Sequence, residues 1–341
     1  MNHETRISCF TFITLALTDL LGGILFISWQ ESGSLRKFLK LIHFTNGGKG
    51  VAANAETLRK LSRRFNRVTF FHVGYSILFM TANYAGFRPR RVNIDIISMQ
   101  FYYPELRVIT YMAINYLFVG WSIQIHIYAF CISAATYEAR HFNEELANIH
   151  TNKDMDMLAF FTRAIDRHTS LATAIRHLDS TMKRYAFTMI ALLIPSTLFT
   201  CFMIISRVNA PKSEMLLISP SIFFCTYAFV CITIFPSRLH DEILKSRSVF
   251  CRSIQRWLPY NKAVYTAALA FSAHLQQDDL GVSIWGFAML SKPMILTTLS
   301  VMITCLAMLL QFTDCTRRQL EERLGMGNMT MLDELSFTNP Y

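Results

Sequence analysis

The twenty residues PMILTTLSVMITCLAMLLQF, Pro293–Phe312, carry no charge and only scattered Thr, Ser and Gln as polar interruptions. A helix needs about 20 mostly apolar residues in a row to cross the hydrocarbon core of a bilayer. One such run would also suit a buried core helix. Five more occur in the same chain: Ile7–Gln30, whose only charge is Asp19; Val68–Phe87; Val108–Tyr137; Tyr185–Ser206 with Pro195 inside; and Met215–Phe235 with Pro220 inside. Six runs together predict an all-α polytopic membrane bundle, one membrane domain over residues 1–341.

Composition agrees. Charged residues make up 16% of the 341 and hydrophobic ones 52%, with mean hydropathy +0.30; a soluble domain carries about 25% charge. The net charge of +10 fits either nucleic acid or an anionic membrane face. The basic residues fall between the apolar runs, which selects the lipid bilayer and no nucleic acid. The eight cysteines form no CxxC pair and mostly lie inside the runs, as small hydrophobes do; neither a disulfide framework nor a metal site is expected. No Walker, GxSxG or HExxH motif occurs, so neither enzymatic chemistry nor a cofactor is expected. His168, His177, Asp166 and Asp179 lack metal-site spacing and read as a solvated helix face. A signal peptide is the alternative for the first run, since Arg6 precedes it. Its length, Asp19 and the lack of a small-x-small cleavage site favour a span.

Lys and Arg in the loops set orientation. Residues 31–67 hold nine against two acids, 138–184 hold seven and 236–283 hold six. The opposite set, 1–6, 88–107, 207–214 and 313–341, holds ten. This places 31–67, 138–184 and 236–283 in the cytoplasm and the tail 313–341 outside. The sequon Asn328-Met329-Thr330 lies on that outer tail. The cytoplasmic segments keep a helical period: Phe160, Ile165, Leu171, Ile175, Leu178 and Met182, then Val264, Ala268, Phe271 and Leu275. They are expected to extend the membrane helices, pack together and offer an oligomer contact. A helix-like run is also expected from Ser283 into the last span.

The last span carries a further pattern. Gly286-Phe287 precedes it, and it ends Thr304-Cys305, five apolar residues, Gln311-Phe312. This resembles the signature of the insect gustatory and odorant receptor superfamily, which has Gly-x-Phe before its seventh helix and Thr-Tyr, five apolar residues and Gln-Phe at its end. Cys305 stands where Tyr is usual, and Gly286-Phe287 lacks the intervening residue. The divergence, the Met and Phe content and the basic loops resemble the nematode branch, including the serpentine receptor class r proteins. The resemblance extends over residues 60–312 and is specific over the last 27 of them.

That resemblance implies a seven-span fold with an inner N-terminus and an outer C-terminus. The run Ile7–Gln30 then corresponds to the second span, and the natural product is expected to be longer at its N-terminus. It further implies a chemosensory, ligand-gated cation channel in a sensory-neuron plasma membrane, assembled as a homo- or hetero-tetramer of related subunits, with the last helix lining the pore. Thr304, Met308, Gln311 and Phe312 share a helical face by spacing. In a four-fold ring Met308 and Phe312 supply an apolar constriction and Gln311 a polar contact, with Asp314 beyond as a carboxylate ring. For a small, mostly apolar ligand the outer-half candidates are Met80, Asn83, Tyr84, Tyr111, Asn115, Phe199, Phe202, Phe223 and Tyr227. Asp19 and His126, ionisable groups within spans, are expected to hydrogen-bond neighbouring helices. A G-protein-coupled receptor is the alternative; it predicts an inner C-terminus, and the expected outer loops lack the Cys pair common in that class. A transporter would show repeats and Gly-broken helices, which the sequence does not.

Overall fold

The computed structural model describes residues 3–45, 55–85, 107–148, 156–206, 212–253, 261–277 and 279–312. These form α1 (His3–Glu31), α2 (Ser34–Phe44), α3 (Ala55–Ala85), α4 (Arg107–Ala147), α5 (Met157–Ser206), α6 (Lys212–Ser253) and α7 (Lys262–His274). A two-stranded hairpin, β1 (Ser283–Ile284) with β2 (Ala288–Met289), precedes α8 (Lys292–Phe312). Five segments are long and apolar enough to cross a membrane: Ile13–Glu31, Asn115–Ala147, Met157–Phe202, Ile222–Arg252 and Lys292–Phe312. The sixth expected span, 68–87, falls on α3 as far as Ala85; its last two residues lie outside the described ones.

Contacts fix the relative directions. Along α4 and α6 the partners rise together, from His126–Tyr227 through Tyr128–Ile232 to Arg140–Glu242, so these helices are parallel. Phe65 meets Phe235 and Tyr75 meets Phe224, so α3 is antiparallel to α6. Phe10–Phe199, Thr14–Ser196 and Trp29–Tyr185 make α1 antiparallel to α5. Asp19 lies beside Gly120 and Gly22 beside Gln124, so α1 runs with α4; α1, α4 and α6 therefore run one way, and α3 and α5 the other.

The long extensions are present. α5 has 50 residues, which at 1.5 Å each rise about 75 Å, against ~30 Å of hydrocarbon. Beyond the apolar runs, the ends of α4, α5 and α6 pack around α7 and continue the same core. This extension bundle holds Phe142, Leu146, Phe161, Ile175, Leu178, Phe250, Ala268 and Phe271, all at most 2% exposed. This core comes from the three- and four-residue apolar spacing read in the sequence.

Two expectations are corrected. The run beginning at Ser283 is a hairpin, with Trp285 and Gly286 at positive φ, and helix starts only at Lys292. The supposed solvated face survives only at Asp166, which is exposed. His168 is buried against Phe142 and His274, and the His177 ring lies 3.1 Å from the Ser34 carbonyl. Asp179 Oδ1 accepts the Ser283 N–H at 2.6 Å and its hydroxyl at 2.8 Å. The bundle and the hairpin recruit polar residues that helical periodicity alone assigns to solvent.

Burial, with His274 and then Arg176 beside it, pushes the His168 imidazole from 6.5 down to about 4. Below pH 6.5 the unfolded chain takes up a proton that the folded chain refuses until about pH 4. Stability is therefore full above pH 6.5 and should fall by about 2 kcal/mol on reaching pH 5. Thermal unfolding of the purified protein between pH 7 and 5 checks this. The His168→Met variant should lose that acid-sensitive part, and equal slopes in both proteins would refute it.

Candidate functional site

Aromatic residues converge where α3, α4 and α6 meet near the middle of their apolar runs. Phe118 and Trp121 of α4 lie 4.9 and 5.9 Å, centroid to centroid, from Phe224 of α6. Tyr75 of α3 lies 5.8 Å from Phe223, which stacks on Tyr227 at 6.5 Å. His126 closes the group. Its Nδ1 is 2.5 Å from the Ser122 carbonyl and its Nε2 2.7 Å from the Tyr227 hydroxyl. A carbonyl can only accept, so Nδ1 carries the proton and Nε2 accepts from Tyr227. The Tyr227 hydroxyl is thereby engaged and its ring held in place.

One donor in this group is unanswered. Trp121 is 4% exposed, and its indole N–H has no hydrogen-bond partner among the described residues. A buried unpaired donor costs about 1–3 kcal/mol, so it calls for an explanation. A ligand acceptor would supply one. At the same level of α4, Gln124 donates to Asp19 Oδ1 of α1 at 3.4 Å. Asp19 and His126 thus both bond neighbouring helices, as expected.

Of the nine ligand candidates, Phe223 and Tyr227 belong to this cage. Asn115 lies half-buried one turn before Phe118 on α4. Phe199 and Phe202 are on α5, and Phe199 packs edge-on to Phe10 of α1 at 5.0 Å, away from the cage. The side chains of Met80, Asn83, Tyr84 and Tyr111 lie outside the described residues. Sequence reading missed Tyr75, Phe118 and Trp121. The last two are three apart on α4, a spacing that puts them on one face, and that signal was available.

α8 presents a second candidate. Met302 is its buried residue, and Met294, Ile295, Cys305, Leu306 and Leu309 are half-buried. These positions share the face turned to the rest of the chain. Thr304, Met308, Gln311 and Phe312 are all exposed. With Thr297 and Ser300, Thr304 and Gln311 form a polar stripe opposite Met302. Thr297 and Thr304 donate their hydroxyls to the carbonyls of Pro293 and Ser300, each at 3.0 Å. Asp314 lies outside the described residues. α8 is anchored at its start. Lys292 Nζ is 2.8 Å from Asp241 of α6, Asp179 holds the hairpin, and Trp285 packs edge-on to Phe187 of α5 at 4.8 Å.

Comparison with known proteins meets these observations. A family model described as "7tm Chemosensory receptor" matches residues 8–314. No curated protein matches the sequence. Among solved structures, the insect olfactory receptor OR5 from Machilis hrabei superposes with TM-score 0.62 at 12% identity, over 91% of this chain and 82% of that one. The same receptor in complex with eugenol gives TM-score 0.52 at 11% identity, over 90% and 88%. At such identities the likeness establishes the fold.

Proposed function

The chain belongs to the 7tm chemosensory receptor family, and from that membership we propose that it is a ligand-gated, non-selective cation channel working as a tetramer. The observation that carries this reading is the polar stripe of α8. A single chain leaves Thr297, Ser300, Thr304 and Gln311 on the face turned away from its own helices. Thr297 and Thr304 are satisfied by their own backbone, but the Gln311 amide makes hydrocarbon a poor environment for that face, whereas a water-filled axis shared by four copies suits it. Met308 and Phe312, 51% and 68% exposed, then supply the apolar constriction. The outer surface of α7, with Tyr265 and Leu269 exposed, gives the extension bundles a contact between copies, of one chain or of related subunits. The membrane segments are those read from the sequence, with 31–67, 138–184 and 236–283 cytoplasmic and 313–341 outside. A sensory-neuron plasma membrane is the proposed setting.

The ligand site is the aromatic cage. Tyr75, Phe118, Trp121, Phe223, Phe224 and Tyr227 suit a small, largely aromatic molecule, and Trp121 asks that it carry one acceptor oxygen. Eugenol, held by the structural relative, has that chemistry and is a first probe within a panel of small phenols and aromatic ethers. In cells that respond to a panel member, Trp121→Phe keeps an aromatic, though smaller, ring and removes the donor. The half-maximal concentration should rise about tenfold, the loss of one buried hydrogen bond. An unchanged value would remove Trp121 from the site. An epitope tag placed after Tyr341 tests the topology, since labelling of unpermeabilised cells is expected. Labelling only after permeabilisation would overturn the channel reading in favour of a G-protein-coupled receptor.

A further inference from the structure

A cavity of about 380 Å³ opens between α3, α4 and α6, on the side of the Tyr227 ring that faces the extension bundle. Its wall is mostly apolar, with Phe65, Val68, Val230 and Phe235 beside the hydroxyls of Ser133 and Thr136, and its rim carries Arg64, Arg140 and Arg238. These arginines occupy one level for a reason legible in the chain. The apolar run of α4 ends at Tyr137 and that of α6 at Phe235; each helix places its Arg three residues later. α3 runs the opposite way and places Arg64 four residues before its apolar run begins at Val68. Lys292, at the start of α8, is bonded to Asp241 of α6 just past Arg238. The rim therefore lies where hydrocarbon gives way to headgroups, on the side read as cytoplasmic.

The charges there are mostly unspent. Arg140 pairs with Glu242 at 3.1 Å, and that carboxylate also accepts from Asn143 at 3.3 Å and faces Lys245 at 3.9 Å. Arg64 and Arg238 are exposed and have no ion-pair partner among the described residues. An apolar slot beneath two free guanidiniums matches a molecule with an anionic, oxygen-rich head and a hydrocarbon tail. Arginine forks pair with phosphate oxygens, and basic pockets between membrane helices on the cytoplasmic side bind phosphate-bearing lipid heads. We infer that this cavity holds one anionic phospholipid of the inner leaflet, its phosphate on Arg64 and Arg238 and the top of an acyl chain against Phe65, Val68 and Val230. The Tyr227 ring separates it from the aromatic cage, so the bound lipid stiffens α3 against α6 beside the ligand site. The inner-leaflet assignment rests on the orientation proposed above, which the tag after Tyr341 tests separately; the cavity and its arginines do not depend on channel activity.

Native mass spectrometry of the purified full chain in detergent tests the inference. The probes are dioleoylphosphatidylinositol 4-phosphate, dioleoylphosphatidylcholine and inorganic phosphate. One phosphoinositide per chain should be retained and phosphatidylcholine should not. The Arg64→Ala/Arg238→Ala pair should weaken retention about 30-fold, the effect of two interfacial cations. Lys37→Ala/Lys40→Ala, with equal charge loss on exposed positions of α2, should stay within about twofold, because those side chains do not line the cavity. Val230→Trp keeps every charge and fills the slot, so it too should lower retention. Equal losses in the two double variants would reduce the effect to general surface charge and overturn the inference. So would retention that survives Val230→Trp, or displacement of the lipid by millimolar inorganic phosphate, which would make the site one for a free anion.

Discussion

Phe271→Ala should destabilise the extension bundle by about 3–5 kcal/mol, the range for a large aromatic removed from a packed core. Phe271 is 0% exposed and touches every helix of that bundle. Its ring centroid lies 5.0 Å from Phe250 of α6, 6.1 Å from Phe161 of α5 and 6.4 Å from Phe142 of α4. α7 has 13 residues, and an isolated helix of that length is marginal in water. Only Ala268 and Phe271 are buried within it, followed by Leu275 at its C-cap. Asn261 caps its start by accepting the Ala263 N–H at 3.0 Å, a contribution of about 1 kcal/mol that cannot replace the ring. Loss of Phe271 should therefore release α7 before the membrane helices unfold. Hydrogen exchange at 262–275 should rise, and a low-temperature unfolding step should appear in detergent. An unchanged exchange rate would mean that α7 is held chiefly by something other than this ring.

The membrane helices were legible because bilayer thickness imposes a length that soluble packing does not. The extension bundle was legible for the same kind of reason: Ile175, Leu178 and Met182 repeat where nothing but a helix–helix interface would reward them. The hairpin was not. A two-residue strand pair has no periodicity to read, and its signals, Gly281 and Gly286 at positive φ, look like ordinary loop punctuation in a sequence. Asp179 was misread because its partner, the Ser283 backbone, lies 104 positions away. The site divides in the same manner. Sequence spacing sufficed to place Thr304, Met308 and Gln311 on one face of α8. The cage needs three helices in register: spacing puts Phe118 and Trp121 on one face of α4, but their meeting with Tyr75 and Phe224 is set by packing that no single helix encodes. Phe199, equally aromatic and apolar, packs on Phe10 of α1.

In the proposed channel, the route from ligand to pore would also rest on packing. The cage lies among α3, α4 and α6, while α8 is joined to α5 and α6 at its first turn. Asp241 of α6 bonds Lys292, and Asp179 and Phe187 of α5 hold the hairpin just before it. A shift of α6 against α4 at Tyr227 would therefore reach the base of α8 about fourteen residues further along the same helix, some 20 Å at 1.5 Å per residue. That is a mechanical path with named joints, and the proposed constriction at Met308 and Phe312 sets the gate at the far end of the helix it reaches.

Met308→Ser should then open the proposed channel without ligand. Met308 is 51% exposed on the face away from the chain's own helices, and four such side chains around an axis form an apolar ring that excludes water when narrow. A serine hydroxyl is short and wettable, so the ring both widens and hydrates. Basal cation current in expressing cells should rise at least about tenfold, corresponding to some 1.4 kcal/mol taken from the closed state. The ligand-evoked increment should shrink in proportion, since less of the population is left to open. Met302→Ser is the contrasting change. Met302 is 9% exposed on the opposite face, so the same chemistry placed there should lower folded protein at the surface rather than raise basal current. Matching basal currents in the two variants, at matched surface expression, would separate conductance from the exposed face of α8 and remove this helix from the pore.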